Sequence, residues 1–328
     1  MKINKIPTGF LFSDTYSKGE LETLSIGDYG KEYNIKADFL GYTKEINGVE
    51  NRETKPLTEK WVMTLSTQYG CPMSCIFCDC PKLKFRGNAS STDLEAQFVN
   101  ARNMFPEVVY VERLNIHFAR MGEPAFNIHN VFSFSSDLVF NKRKWQERLN
   151  LRMETIHPVF TTSMPLVLHD DLERILSKWC VLKNNIFNGQ AGLQISVNST
   201  DDTQRDWLFN GKSCSLGRIA RICDNLPEPV SRKYCLNFAY ATDSIVDAKA
   251  LSNLFDKDKF MCKITPIHNN TACRANKLET VSGYESYTPY KVVEESLIAE
   301  GFDVLVFVPS MDEENGLVTC GNLALANN

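Results

Sequence analysis

No window of the chain reaches the run of about 18 consecutive apolar residues that a membrane-spanning helix needs, so no membrane partner is expected. The opening MKINKIPTGFLF lacks the apolar segment and small-residue cleavage site of a secretory leader, and the expected compartment is the cytoplasm. Internal repeats and low-complexity tracts are missing, which excludes solenoid and collagen-like architectures. Gly (17) and Pro (13) stay near ordinary usage, and 43% of the 328 residues are apolar against 23% charged, which excludes a disordered chain. An excess of basic charge is lacking too. The 36 Lys and Arg against 40 Asp and Glu leave a net charge of −4, so any nucleic-acid contact has to come from local patches. What the chain has in quantity is cysteine, 11 in all. In a reducing compartment these are expected as free thiols, metal ligands or catalysts rather than disulfides.

Hydrophobic periodicity switches repeatedly between strand-like and helix-like segments. β-rich runs lie at Trp61–Thr67, Leu114–Phe118, Pro158–Thr162, Leu193–Val197, Tyr234–Tyr240, Lys263–Ile267 and Val304–Val308. Helical patterns lie between them at Thr92–Phe105, Asp170–Lys178, Leu216–Leu226, Asp247–Phe255 and Tyr290–Ala299. Strands alternating with helices imply parallel pairing through crossovers, hence an α/β barrel or open sheet with fewer units than a full eight-fold barrel. Residues 1–58 differ: glycines punctuate short alternating runs such as Leu21–Ile26 and Tyr33–Phe39, with Asn47-Gly48 as a hairpin turn. They read as a small antiparallel β extension on a core domain spanning residues 59–328.

The chemistry concentrates in Gly70-Cys71-Pro72-Met73-Ser74-Cys75-Ile76-Phe77-Cys78-Asp79-Cys80, directly after the first core strand. Three thiolates of Cys71, Cys75 and Cys78, spaced C-x3-C-x2-C on a loop, suit three irons of a [4Fe–4S] cubane and leave the fourth iron open. A structural zinc site using Cys80 as fourth ligand is the alternative, although such sites usually bring their cysteines as two separated pairs. Further along, Met121-Gly122-Glu123-Pro124 follows the second core strand, where an acid beside a glycine can accept an ammonium group.

This spacing and placement resemble the radical S-adenosylmethionine (SAM) superfamily, and the blocks around them resemble its RlmN/Cfr group, which methylates adenine carbons in RNA. The matching blocks, in order, are Ser66 to Cys71, Phe85 to Gln97, Met121 to Pro124, Thr161-Thr162-Ser163, Ile195 to Asn198, Cys262-Lys263-Ile264 leading to Asn269-Asn270, and Val318 to Leu323. They cover about residues 62–325. The resemblance implies a partial (β/α)6 barrel, a [4Fe–4S] cluster, and SAM chelated on the open iron and cleaved to a 5′-deoxyadenosyl radical. It also implies an external reductant such as flavodoxin or ferredoxin. Gly122, Glu123 and Pro124, with Ser163, Ser196 and Asn270, would contact SAM. A one-residue slip would exchange Asn270 for Asn269, and each of these polar residues could instead cap a helix or satisfy a loop. Cys320 would be methylated by one SAM and pass its methyl carbon to the base, a role that suits a nucleophilic thiolate. The ordinary alternative is an inert core cysteine.

One departure stands out. The family places a second catalytic cysteine seven residues before the first cluster ligand, where it serves as the base that releases the product; here that position is Thr64. A neutral hydroxyl is a poor proton acceptor. Cys80 and Cys273 are the candidates to replace it. The family's helical RNA-binding domain has no counterpart at the amino terminus and the basic tail none at the carboxy terminus, so a nucleotide or small RNA is favoured over structured ribosomal RNA as substrate. Two basic clusters remain, Lys82/Lys84/Arg86 and Lys142/Arg143/Lys144/Arg148/Arg152, the second reading as a solvated helix face. The expectation is therefore a radical SAM methyltransferase acting on an sp2 carbon of a nucleobase. A non-methylating radical SAM enzyme, or a non-catalytic metal-cluster protein that binds nucleic acid, are the competing readings.

Overall fold

The computed structural model describes residues 1–6, 8–27, 56–280, 288–307 and 317–325. Ten strands form one continuous sheet. Its antiparallel edge is β1 (Lys2–Ile6), β2 (Gly9–Tyr16) and β3 (Gly19–Ile26), and β3 pairs antiparallel with β4 (Lys60–Leu65). A two-residue hairpin, β5 (Gln68–Tyr69) with β6 (Gly87–Asn88), stands apart from it. From β4 onward the neighbours are parallel and consecutive: β7 (Tyr110–Phe118), β8 (Arg152–Thr162), β9 (Gly192–Ser196), β10 (Tyr234–Tyr240), β11 (Phe260–Pro266) and β12 (Val304–Val306).

All seven core strands fall where hydrophobic periodicity places them. Three are longer than the periodicity indicates: β7, β8 and β11, the last of which begins at Phe260. The first halves of β7 and β8 carry exposed Glu112, Glu154 and Thr155, so no apolar alternation marks them, and they are held by pairing with each other. The amino-terminal extension is antiparallel, as its punctuation indicates, and it continues the same sheet through the pairing of β3 with β4. Its anticipated run Tyr33–Phe39 and turn at Asn47-Gly48 lie outside the described residues.

The described residues form helices α1 (Ser91–Asn103), α2 (Ile128–Phe140), α3 (Lys142–Leu149), α4 (Leu172–Asn185), α5 (Asp202–Leu208), α6 (Leu216–Asp224), α7 (Ala248–Ser252), α8 (Thr271–Ala275) and α9 (Thr288–Ala299), of which α5 and α8 pack against the cysteine segment. Periodicity does not pick out α2, whose valines and phenylalanines favour a strand by propensity. Its buried stripe of Val131, Phe134, Ser135 and Leu138 nevertheless has helical spacing. A capping box starts α1: Ser90 Oγ accepts from Asp93 N at 3.1 Å and Asp93 Oδ2 from Ser90 N at 2.8 Å. No helix among the described residues is long and apolar enough to cross a membrane.

The sheet is curled. Loops after β4 and β11 touch, yet in a flat sheet those strands would stand roughly 24 Å apart, five spacings of about 4.8 Å. With β1 and β12 at its two edges, the sheet forms a partial barrel.

Candidate active site

The site lies at the carboxyl ends of the parallel strands, where loops of α/β folds gather their chemistry. After β4 the chain is pinned by two amides. Gln97 accepts from Ser66 N at 2.8 Å and donates to Ser66 O at 2.9 Å, while Asn127 Nδ2 donates to Thr67 O and Ala89 O at 2.7 and 2.8 Å. The loop then turns at Gly70, with φ +75°, into the cysteine segment.

That segment is clamped from the far side of the barrel. Asn270 Nδ2 and Cys273 Sγ donate to Phe77 O at 2.9 and 3.4 Å, and Asn276 Nδ2 donates to Ile76 O at 2.8 Å. Lys212 Nζ donates to Pro72 O and Ser74 Oγ at 2.7 and 2.8 Å, and the rings of Phe77 and Phe209 meet at 5.6 Å. Cys71, Cys75 and Cys78 are half-buried free thiols. Burial pushes the Cys78 thiol up, and the nearby thiols of Cys320, Cys75 and Cys71 push it further. A hydrogen bond with Cys71 raises Cys80, and the same bond lowers Cys71.

No three His, Cys, Asp or Glu side chains among the described residues converge on a point that could hold a single metal ion. Three thiolates grouped on one loop fit a [4Fe–4S] cubane, in which each thiolate holds its own iron and the fourth iron stays open.

Beside the loop sits Glu123, buried and engaged on three sides: it accepts from Ala125 N at 3.0 Å, Ser163 N at 2.8 Å and Ser163 Oγ at 2.7 Å. Burial raises its carboxyl pKa while the Ser163 donors oppose that shift. Gly122 is required here. It adopts φ +101°, and a Cβ would lie 2.6 Å from Gln68 Cβ. Pro124 opens the short 3-10 turn that follows. Ser196 ends β9 half-buried, and its carbonyl accepts from the buried Arg205 at 2.8 Å. Asn270 spends both ends of its amide, one on the cysteine loop and the other capping α8 through Cys273 N at 2.8 Å.

Cys320 joins this group from the carboxy-terminal segment. Its Sγ donates to Ala119 O at 3.5 Å, burial raises its thiol pKa, and the Arg120 guanidinium opposes the rise. Gly321, at φ +88°, packs so closely on the loop that a Cβ would lie 2.8 Å from Cys80 Cα. Two residues that motif reading missed hold the segment in place. Glu22 accepts from Gly321 N and Ala324 N, both at 2.9 Å, and pairs with Arg120 at 2.8 Å. Arg120 in turn donates to the carbonyls of Val318 and Thr319. The turn Asn322–Leu325 then seats Leu323 among Ile6, Leu11, Leu24, Ile26 and Val62.

The two candidate replacement bases are both present at the site and both occupied. Cys80 is 1% exposed beside Cys71, and Cys273 is fully buried against Phe77. Thr64 lies on β4 opposite His117 of β7, a residue motif reading did not single out. Of the basic clusters, Lys82 pairs with buried Asp79, whereas Lys84 and Arg86 are exposed around Phe85. Phe85, with Met73, Phe126, Leu166 and Lys212, lines a groove of about 730 Å³ beside the cysteine loop. Lys142, Arg143 and Lys144 begin α3, far along the chain from these contacts.

No protein-family model matches the chain. It is similar to a probable dual-specificity RNA methyltransferase RlmN of Pseudothermotoga lettingae, 24% identical over 270 residues that make up 80% of this chain and 68% of that protein. A counterpart in Heliobacterium modesticaldum is 24% identical over 286 residues, 81% of this chain and 63% of its own length. The dual-specificity RNA methyltransferase RlmN of Syntrophus aciditrophicus is 28% identical over 192 residues, 56% of this chain and 47% of that protein. The chain thus spans from about half to two thirds of the length of these relatives. In fold it is similar to a radical SAM methyltransferase from Sphaerobacter thermophilus, with a TM-score of 0.60 at 17% identity over 91% of this chain and 73% of that one.

Proposed function

We propose that this chain, a radical SAM protein of the RlmN/Cfr type, methylates an sp2 carbon of a nucleobase, in RNA or in a nucleotide, through Cys320. The observation that carries the reading is the meeting of Cys320 with the loop of Cys71, Cys75 and Cys78, held by Glu22 from the opposite end of the sequence and by Arg120 from the loop after β7. A [4Fe–4S] cluster on those three thiolates, with SAM bound, supplies the methyl group and the hydrogen-abstracting chemistry. Everything else falls to the chain's own residues.

Glu123, oriented by Ser163, would accept the SAM ammonium, and Ser196 and Asn270 would contact other parts of SAM. Cys320 Sγ accepts the methyl. The groove at Phe85 and Phe126 offers aromatic faces to a base, and exposed Lys84 and Arg86 offer charge to its phosphate. Release of the product needs a proton acceptor in place of Thr64; Cys80 and Cys273 are the candidates, and either would have to give up its present hydrogen bond and its proton to serve. An external flavodoxin- or ferredoxin-like protein delivers the electron, in the cytoplasm. Residues 59–328 carry the chemistry as the core domain, and residues 1–58 brace its carboxy-terminal segment through Glu22.

The test is peptide mass spectrometry of the carboxy-terminal fragment after anaerobic reconstitution with iron, sulfide and SAM. Cys320 should become one methyl heavier, and Cys320→Ala should keep its iron while losing substrate methylation. If the fragment never gains a methyl although SAM is cleaved, Thr64 marks a non-methylating radical reaction instead.

A further inference from the structure

At the opposite end of the barrel a second cavity, about 490 Å³ in volume, opens among the amino-terminal ends of the parallel strands. Among the described residues its walls bring together five cationic side chains, Lys60, Arg113, Arg232, Lys233 and Lys263, and one carboxylate, Asp303; Lys60 and Arg113 already have partners of their own. That carboxylate is already committed to Lys233 at 2.7 Å. Arg232 and Lys263 make no hydrogen bond or ion pair among the described residues. In a chain whose net charge is −4, this is a concentrated reversal of sign.

The amino-terminal face of such a barrel ordinarily serves stability. Like charges gathered in a cavity do the reverse, because the low surrounding dielectric strengthens their repulsion. Burial lowers the pKa of Arg232 and of Lys263, and each is lowered further by a cationic neighbour, Arg113 for the first and Arg232 for the second. His117 on the same wall is pushed down to about 3 by burial, then by Lys263, Arg232, Lys60 and Arg113, so it stays neutral there. The remaining wall mixes amides with apolar surface: Asn115 and Gln194, then Val62, Met261 and Leu305. The volume lies within the range of small-ligand pockets.

We propose that this cavity is a binding site for a small phosphorylated molecule of mononucleotide size, its phosphate held by Arg232 and Lys263 and its remainder by the amide and apolar wall. Guanidinium and ammonium groups form charge-assisted hydrogen bonds to phosphate oxygens, and a bound dianion turns the mutual repulsion of the cations into shared attraction. The site is separate from the cysteine loop, so the proposal stands apart from the methyltransferase reading.

Calorimetric titration of the full-length protein with inorganic phosphate, inorganic pyrophosphate and adenosine monophosphate tests it. Saturable one-site binding that weakens with added salt is expected. Tighter binding of the nucleotide than of the two inorganic anions would assign recognition to the whole molecule, and the reverse order to phosphate alone. Arg232→Gln and Lys263→Gln should each weaken binding at least tenfold, while the unliganded variants melt above the wild type because a repelling charge is gone. Arg232→Lys and Lys263→Arg, which keep the charge, should retain binding. The proposal is overturned if none of the three anions binds saturably, if both Gln variants bind as the wild type does, or if both fail to fold.

Discussion

At the scale of single residues the site is built from two kinds of information. Cys71, Cys75 and Cys78 were legible because their chemistry depends on spacing within one loop, which a linear sequence displays. Glu22 and Arg120 were not, since neither belongs to a motif and their value arises only when folding brings β3, the loop after β7 and the carboxy-terminal turn together. Both are buried, and removing one partner strands the other charge, a loss of about 3–5 kcal/mol for a buried pair. Glu22→Ala is therefore expected to free the carboxy-terminal segment and abolish Cys320 methylation while iron content stays at the wild-type level. Equal loss of iron and of methylation would mean instead that Glu22 supports the whole barrel end. The role of Asn270 is likewise visible only in three dimensions, because its amide clamps the cysteine loop in addition to capping a helix.

At the scale of elements the core strands were readable from apolar alternation, while the polar halves of β7 and β8, and helix α2, were not. These are held by neighbours rather than by patterns of their own. The turn carrying Gly122 is an element where sequence and geometry agree for a definite reason. Its φ of +101° is open to glycine, and the space a Cβ needs is taken by Gln68, whose Oε1 accepts from Glu123 N at 2.8 Å. Gly122→Ala should displace that turn, at a cost of about 1–3 kcal/mol for the strained backbone, and so misplace Glu123. Equilibrium binding of SAM to reconstituted protein should weaken at least tenfold with the iron content unchanged. Wild-type affinity in this variant would remove Glu123 from the SAM site, since the turn could then move freely without consequence.

At the scale of the whole molecule, charge is divided: an acidic chain encloses a basic barrel mouth. That mouth holds a histidine neutral. His157 of β8 is 5% exposed, and burial, reinforced by Arg113 and Arg232, pushes its pKa down to about 3. In the unfolded chain the same side chain titrates near 6.5, so as pH falls below that value the unfolded state takes up a proton that the folded state refuses. Stability contributed by His157 is therefore fully present above pH 6.5 and is lost progressively toward pH 3. Between pH 7 and 5.5 the loss from this one group is about 1.3 kcal/mol. Buried carboxylates complicate the absolute curve, but they act alike in a variant that keeps them. Denaturant unfolding of the wild type and of His157→Gln at the two pH values should therefore give a stability difference that shifts by about this amount in favour of the variant at the lower pH. Parallel pH slopes in the two proteins would mean that His157 binds its proton in the folded state as readily as in the unfolded one, and that the cations of the barrel mouth are screened from it.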